Sequence, residues 1–207
     1  MFRESSTTDD KFTMADGTEK QVKMMRNMRH HSYAEMDGYK VLALPYAGGV
    51  YFMYVLLPDG NDLGGMIDKL QDTPWSSIAS SFKRDAEVYV KLPKFDIEDK
   101  FNLNEKLEGL GVRKAFQPGA AEFDSMFDSE AEKFFIGKVI QKAKISVAEW
   151  GTEAAAVTVV MMGATAVAPG HEEPKRVYFY ADHPFVFLIG EATSGTILFE
   201  GTYTGRQ

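Results

Sequence analysis

The residues best suited to chemistry in this 207-residue chain are its four histidines and the acids beside them. His183 lies in Ala181-Asp182-His183-Pro184-Phe185, where Asp182 could orient the imidazole as an aspartate does in a hydrolytic triad. A triad also needs an activated nucleophile, and no Gly-x-Ser-x-Gly elbow is present. His183 therefore reads as a structural hydrogen-bonding residue. His30 and His31 are adjacent, so on a strand they point to opposite faces and make a poor pair of metal ligands. There is no His-Glu-x-x-His helix and no Gly-x-x-x-x-Gly-Lys-Ser/Thr phosphate loop. Gly109-Leu110-Gly111 lacks the third glycine of a dinucleotide turn and closes a helix instead of opening one. Glu172-Glu173 is an acid pair in a polar loop, where water solvates it. The absence of cysteine excludes thiol catalysis and a disulfide framework. The expectation is a protein that is not an enzyme and that uses no metal and no cofactor.

Those side chains are carried on short elements. Phe12–Met14 and Val22–Met25 predict strands about the turn Asp16-Gly17. Ser32–Met36, the two-residue turn Asp37-Gly38 and Tyr39–Leu44 predict a hairpin. The apolar run Val50–Leu57 suits a central strand, closed by Pro58-Asp59-Gly60. Asp62 predicts the cap of a helix with Leu63, Met66, Ile67 and Leu70 on one face. Thr73-Pro74 predicts a second cap, with proline at the first helical position ahead of Trp75, Ile78 and Phe82. Glu87–Leu92 alternates as a strand, is interrupted by Pro93 and resumes over Lys94–Ile97. Asn102 predicts the cap of a helix through Leu103, Leu107 and Leu110, ended by Gly111. Glu132–Glu149 reads as one long extended segment with Phe135, Val139, Ala143, Ile145 and Val147 inward. Val177–Tyr180, Phe185–Ile189 and Ile197–Tyr203 are closing strands, the last two joined through Thr193-Ser194-Gly195. The class is α+β, mainly antiparallel sheets with a few short helices.

Composition sets the partners. With 44% hydrophobic and 26% charged residues the chain is built to fold. A net charge of −7 argues against nucleic acid or an anionic membrane as the partner. From Ala154 to Ala168 no side chain is charged, yet the run is shorter than the roughly 20 apolar residues that span a bilayer. It is rich in Val and Thr, which disfavours a helix. Read with period 2, Thr152, Ala154, Ala156, Thr158 and Val160 share one face, and Glu153, Ala155, Val157, Val159 and Met161 share the other. Such a segment can enter a sheet at little steric cost. Alanine adds almost no rotamer entropy to the ordering of a strand, and small side chains avoid overpacking a dense interior.

Glu149-Trp150-Gly151-Thr152-Glu153-Ala154-Ala155-Ala156-Val157-Thr158 resembles the hinge of the serpins, the serine protease inhibitor family. Phe179-Tyr180-Ala181-Asp182-His183-Pro184-Phe185 resembles the family's C-terminal signature, and Ile197-Leu198-Phe199-Glu200-Gly201 its last strand. Val22–Met25, Leu56–Asp59, Leu92–Phe95 and Leu110-Gly111 follow in the family order, and Phe2, Thr8 and Phe12 match the residues that lead into Val22–Met25. Trp150 stands where the family most often has an acidic or polar residue, and Gln141 where it commonly has histidine. The resemblance covers essentially the whole chain but only the C-terminal half of the family's fold.

The resemblance implies a single partial serpin domain over residues 1–207, with hinge and exposed reactive loop at 149–175 and the N-terminal half of the fold missing. It implies a suicide-substrate inhibitor of a serine protease, acting by loop cleavage and strand insertion. Family spacing from Glu149 puts the reactive bond at Thr165-Ala166, with Met162, Ala164 and Val167 as alternative bait residues. The hinge comprises Glu149, Gly151, Thr152, Glu153, Ala154, Ala155, Ala156 and Thr158. Small apolar bait residues suggest an elastase-like target. An extracellular location follows from the resemblance alone, since the polar start of the chain carries no signal-peptide core. The isolated chain is expected to be a fragment or half-protein that does not inhibit, with loop–sheet self-association as a hazard. The alternative is a non-inhibitory binding or carrier protein of the same fold.

Overall fold

The computed structural model describes residues 2–126, 134–152 and 175–206. The chain forms two compact units, one of Met1–Phe95 with Ser146–Gln207 and one of Asp96–Ile145. In the first, β1 (Thr8–Thr13) and β2 (Glu19–Arg29) pair antiparallel across Asp16-Gly17. Gly17 takes the left-handed φ of 82° that the turn requires, and Asp16 Oδ1 accepts the Thr18 N–H at 3.0 Å. β2 is much longer than the apolar pattern suggests. Its added start, Glu19–Gln21, is polar and exposed and is tied to β1 by the ion pair Lys11–Glu19, while Lys23–Asp9 pairs the same strands further along.

β3 (Ser32–Met36), β4 (Tyr39–Pro45) and β5 (Tyr51–Pro58) form the expected meander, with Met36 opposite Tyr39 and Gly38 at φ 84° in the turn. In α1 (Leu63–Asp72), Asp62 caps as expected, accepting from Gly65 N at 2.9 Å. The second cap differs. Pro74 stays extended at ψ 139° ahead of α2 (Trp75–Ser80), so it lies outside the helix. Thr73, held out of the helical region by the proline after it, turns its hydroxyl back to Lys69 O at 2.8 Å. β6 (Glu87–Pro93) ends at the interruption seen in sequence.

β7 (Phe95–Asn102) leads into the second unit, where it lies beside β8 (Ile140–Ala148). Between them α3 (Asn104–Gly109) is shorter than expected. Asn102 Oδ1 accepts from Asn104 N at 3.3 Å, one step before a true cap, and Leu110 lies outside the helix at 82% exposure. The long extended segment is also corrected. Regular pairing starts only at Ile140, because residues just before it bond to Asn104: Oδ1 accepts from Val139 N at 2.8 Å and Nδ2 donates to Gly137 O at 3.0 Å. Phe135 is exposed, whereas Ile145 and Val147 are buried as expected.

Back in the first unit, β9 (Gly151–Thr152) folds onto the end of β8, with Val147 opposite Thr152 and Ala148 opposite Gly151. β10 (Arg176–Tyr180), β11 (Phe185–Glu191) and β12 (Ile197–Tyr203) complete two sheets, ordered β1-β2-β6-β10 and β12-β11-β5-β4-β3. Pairing is antiparallel except for β10 on β6. Met66 and Ile78 of the helices bury against Val41, Leu56 and Val186. A second cluster joins Phe95, Phe185, Phe187 and Tyr203, with Phe12 edge-on to Tyr203 at 5.0 Å. The α+β expectation holds.

Candidate functional site

The described residues place the stretches of chain that flank the uncharged segment, up to Thr152 on one side and from Lys175 on the other. At the near end Glu149 is buried to 4% exposure, unusual for a carboxylate without partners. It has them. Thr7 Oγ1 donates to Oε1 at 2.8 Å, Lys94 Nζ donates to Oε2 at 3.1 Å, and the Glu149 carbonyl accepts from Phe2 N at 3.1 Å. Burial pushes this carboxyl up, but its backbone N–H, Thr7 and the Lys94 ammonium together hold it below the ordinary value. Trp150 is 61% exposed, its indole N–H donating to Glu4 Oε1 at 3.1 Å. Gly151 follows at φ 113°, a backbone that side-chain-bearing residues rarely adopt, and lets the chain reverse onto β8.

At the far end Lys175 Nζ donates to the Tyr33 hydroxyl at 2.9 Å, and that hydroxyl donates to Asp85 Oδ1 at 2.9 Å. The Lys175 carbonyl accepts from Glu87 N at 2.8 Å, which starts the β10–β6 pairing. Tyr33 is 1% exposed and anchors this network in the core. The hydrogen bond from Tyr33 lowers the Asp85 carboxyl, and the hydrogen bond to Tyr33 raises the Lys175 ammonium.

Of the sequence-based hinge residues, Glu149, Gly151 and Thr152 are therefore located. Glu153, Ala154, Ala155, Ala156 and Thr158, with Met162, Ala164, Thr165, Ala166 and Val167, lie outside the described residues. Sequence reasoning missed Thr7, Tyr33, Asp85 and Lys175. Lys94 had a signal, since it sits in the Leu92-Pro93-Lys94-Phe95 motif.

His183 and His31 are held by structural hydrogen bonds. His183 Nδ1 contacts Asp182 Oδ1 at 2.9 Å and Nε2 contacts Pro58 O at 2.9 Å, so both ring nitrogens are engaged. Burial pulls its pKa down, but these two acceptors outweigh it and leave it raised. His31 is buried beside Asn27, with Nε2 at 3.0 Å from Oδ1. Burial, reinforced by Arg29 and Arg84, lowers it to about 4. Between pH 6.5 and that value the unfolded chain takes a proton that the folded chain refuses. Stability from this group is therefore full above pH 6.5 and falls by about 3 kcal/mol as pH drops to 4. Urea midpoints across that range should show the loss, and His31→Gln should flatten it; an unchanged slope in the variant would assign the loss elsewhere. His183 acts in the opposite sense, its contribution being full below pH 6.5 and lost as pH rises through its raised value. Among the described residues no group of three or more His, Cys, Asp or Glu could hold a metal ion, and no helix is long and apolar enough to cross a membrane.

Glu149 and Lys175 thus stand anchored on either side of the run Ala154–Ala168, which carries no charge. The family model for Serpin (serine protease inhibitor) matches residues 1–205, and the chain belongs to that family. Serpin-ZX of Hordeum vulgare is 36% identical over 97% of this chain and 51% of its own length. The leukocyte elastase inhibitor of Homo sapiens is 33% identical over 98% of this chain and 54% of its own. The native structure of tengpin, a thermophilic serpin, superposes with a TM-score of 0.79 at 28% identity, over 99% of this chain and 51% of tengpin. The chain thus spans about half the length of the curated relatives it matches, consistent with the C-terminal half of the fold.

Proposed function

We propose that residues 149–175 are the hinge and reactive loop of a suicide-substrate inhibitor of serine proteases, with Thr165-Ala166 as the reactive bond. The observation that carries this reading is the pairing of an anchored Glu149 and an anchored Lys175 on either side of a run without a charge from Ala154 to Ala168. The protease serine would attack the Thr165 carbonyl and become acylated by it, the Thr165–Ala166 bond would break with the Ala166 amine leaving as a new N-terminus, and the freed hinge would add to a sheet as a strand. Small residues at Ala154, Ala156 and Thr158 suit that insertion. Met162, Ala164 and Val167 are alternative recognition residues for a shallow-pocketed, elastase-like enzyme, and a relative bears the name leukocyte elastase inhibitor. Trapping needs strands on both sides of the insertion slot, so the 207-residue chain alone is a substrate and not a trap. Extracellular action is part of the same proposal.

Elastase digestion of the isolated chain, followed by intact-mass measurement, tests this. The first cut is expected among residues 162–167, without an SDS-stable complex. A first cut elsewhere would sink the bait assignment, and an SDS-stable complex would sink the proposed inactivity. Thr165→Arg should make the same segment a trypsin site.

A further inference from the structure

β10 ends the four-stranded order β1-β2-β6-β10, so the edge it turns away from β6 carries no strand among the described residues. Its residues divide between two faces. Val177 and Phe179 are 7% and 1% exposed and form the core side. Arg176, Tyr178 and Tyr180 share the other face, where the register sets Tyr178 beside Tyr89 of β6, with Met28 of β2 beyond it. The Tyr178 ring lies 5.2 Å from Tyr89 and 5.6 Å from Tyr180, yet Tyr178 is still 52% exposed. Tyrosine, methionine and arginine are the side chains that contacts between proteins favour over the rest of a surface. Most charges on this face are already engaged with one another. Asp10 Oδ2 accepts from Lys91 Nζ at 2.9 Å and from Arg26 Nη2 at 2.6 Å, and Lys91 lies over the Tyr180 ring at 4.7 Å. Arg176 differs. It is exposed, and among the described residues it makes no ion pair, although Glu87 stands opposite it in register.

We propose that β10 is a docking edge for an extended acidic polypeptide, which adds beside Arg176–Tyr180 as a further strand. Backbone N–H and C=O groups along the edge supply the affinity, as in other strand additions. Alternate side chains of the occupant reach the outer face, where apolar or aromatic ones lie beside Tyr178 and Tyr180 and a carboxylate lies beside Arg176. Charge selects the occupant. A cation on an edge strand works against pairing with most chains, and a carboxylate on the incoming strand turns that repulsion into attraction. A second copy fits less well, because β10 itself has no carboxylate to offer Arg176. A sugar or a nucleic acid could stack on the tyrosines, but neither could continue the backbone ladder of the sheet. The inference does not depend on the loop being a protease bait, and its test reads no inhibition.

The probe is a fluorescein-labelled peptide, Glu-Val-Tyr-Val-Tyr-Val-Glu, whose sequence reads the same in either direction along β10. Its anisotropy is followed on titration with the purified chain, and backbone hydrogen exchange is read on the mixture. The expected result is saturable one-to-one binding with slowed exchange over Arg176–Tyr180. The same peptide with Lys in place of both Glu should bind about fivefold more weakly, and Arg176→Gln should reduce that preference. Tyr178→Ala should weaken the acidic peptide about fivefold, the size of an aromatic cross-strand pair, whereas Tyr178→Phe should keep the binding. Arg176 and Tyr178 are exposed, so the variants should fold, and far-ultraviolet circular dichroism checks this. A titration that does not saturate, equal binding of the two peptides, binding indifferent to Arg176→Gln and Tyr178→Ala, or exchange protection only elsewhere would each overturn the proposal. So would dimerisation of the chain through β10, or tighter binding of single-stranded DNA or a sulfated polysaccharide than of the acidic peptide.

Discussion

Glu149→Lys is expected to lower the unfolding free energy by about 3–5 kcal/mol, the range for breaking a buried charge pair. The Glu149 side chain is 5% exposed and Lys94 is 44% exposed, so the two partners are unequal. A lysine at 149 would lose the bond from Thr7, place a second ammonium beside Lys94 and bury it without a counter-ion. Lys94→Ala should cost only about 1 kcal/mol, because a half-exposed ammonium exchanges its partner for water. Thr7→Val removes one hydrogen bond to a charged acceptor and should fall between, at about 1.5–3 kcal/mol. The double exchange Lys94→Glu with Glu149→Lys should recover part of the loss. Urea denaturation of the four variants reads all of these. A Glu149→Lys chain within 1 kcal/mol of the parent would show that the carboxylate does not hold the strand end.

The second large effect lies in the aromatic cluster. Phe95→Ala should cost about 3–5 kcal/mol, as for other buried phenylalanines truncated to alanine. Phe95 is 1% exposed, and its ring stacks on Tyr203 at 4.7 Å and lies 5.5 Å from Phe187 and 6.0 Å from Phe185. Neighbouring rings cannot collapse far into the space left, since Gly201 already sits under Phe187 with no room for a Cβ: one placed there would meet the ring at 2.6 Å. Phe95→Leu retains most of the volume and should cost well under half as much. Equal losses for the two variants would mean that ring volume is not what Phe95 contributes.

These two sites show what could be read from the sequence and what could not. The Asp37-Gly38 hairpin and the Asp62 cap were legible because their chemistry is local: a left-handed glycine, and a carboxylate three residues from the N–H it accepts. Glu149 and Gly151 stood out in the sequence because they resemble a family pattern. The support of Glu149 was not legible, because Thr7 and Lys94 approach it from distant parts of the chain and neither residue type announces a tertiary partner. The same holds for Tyr33, Asp85 and Lys175. Thr73 and Asn102 were each assigned as caps where the backbone placed them one position out, a local competition that residue type alone does not decide. The polar half of β2 escaped for a different reason: apolar alternation marks only strands with a buried face, and much of that strand faces water.

The pairing of β10 with β6, and of β11 with β5, has a consequence for the order in which this chain can be made. Both sheets are closed by strands near the C-terminus, whose partners lie far back in the sequence, Val88 for Val177 and Leu56 for Val186. During synthesis β6 and β5 emerge first and wait with one edge unpaired, while residues between them and β10 are still being added. Folding is therefore dominated by non-local closure, which is slow and leaves strand edges open to other chains meanwhile. A ribosome-bound chain halted before Arg176 should hold the β3–β4–β5 meander with β5 uncapped, and it is at that stage that a chaperone has an edge to bind.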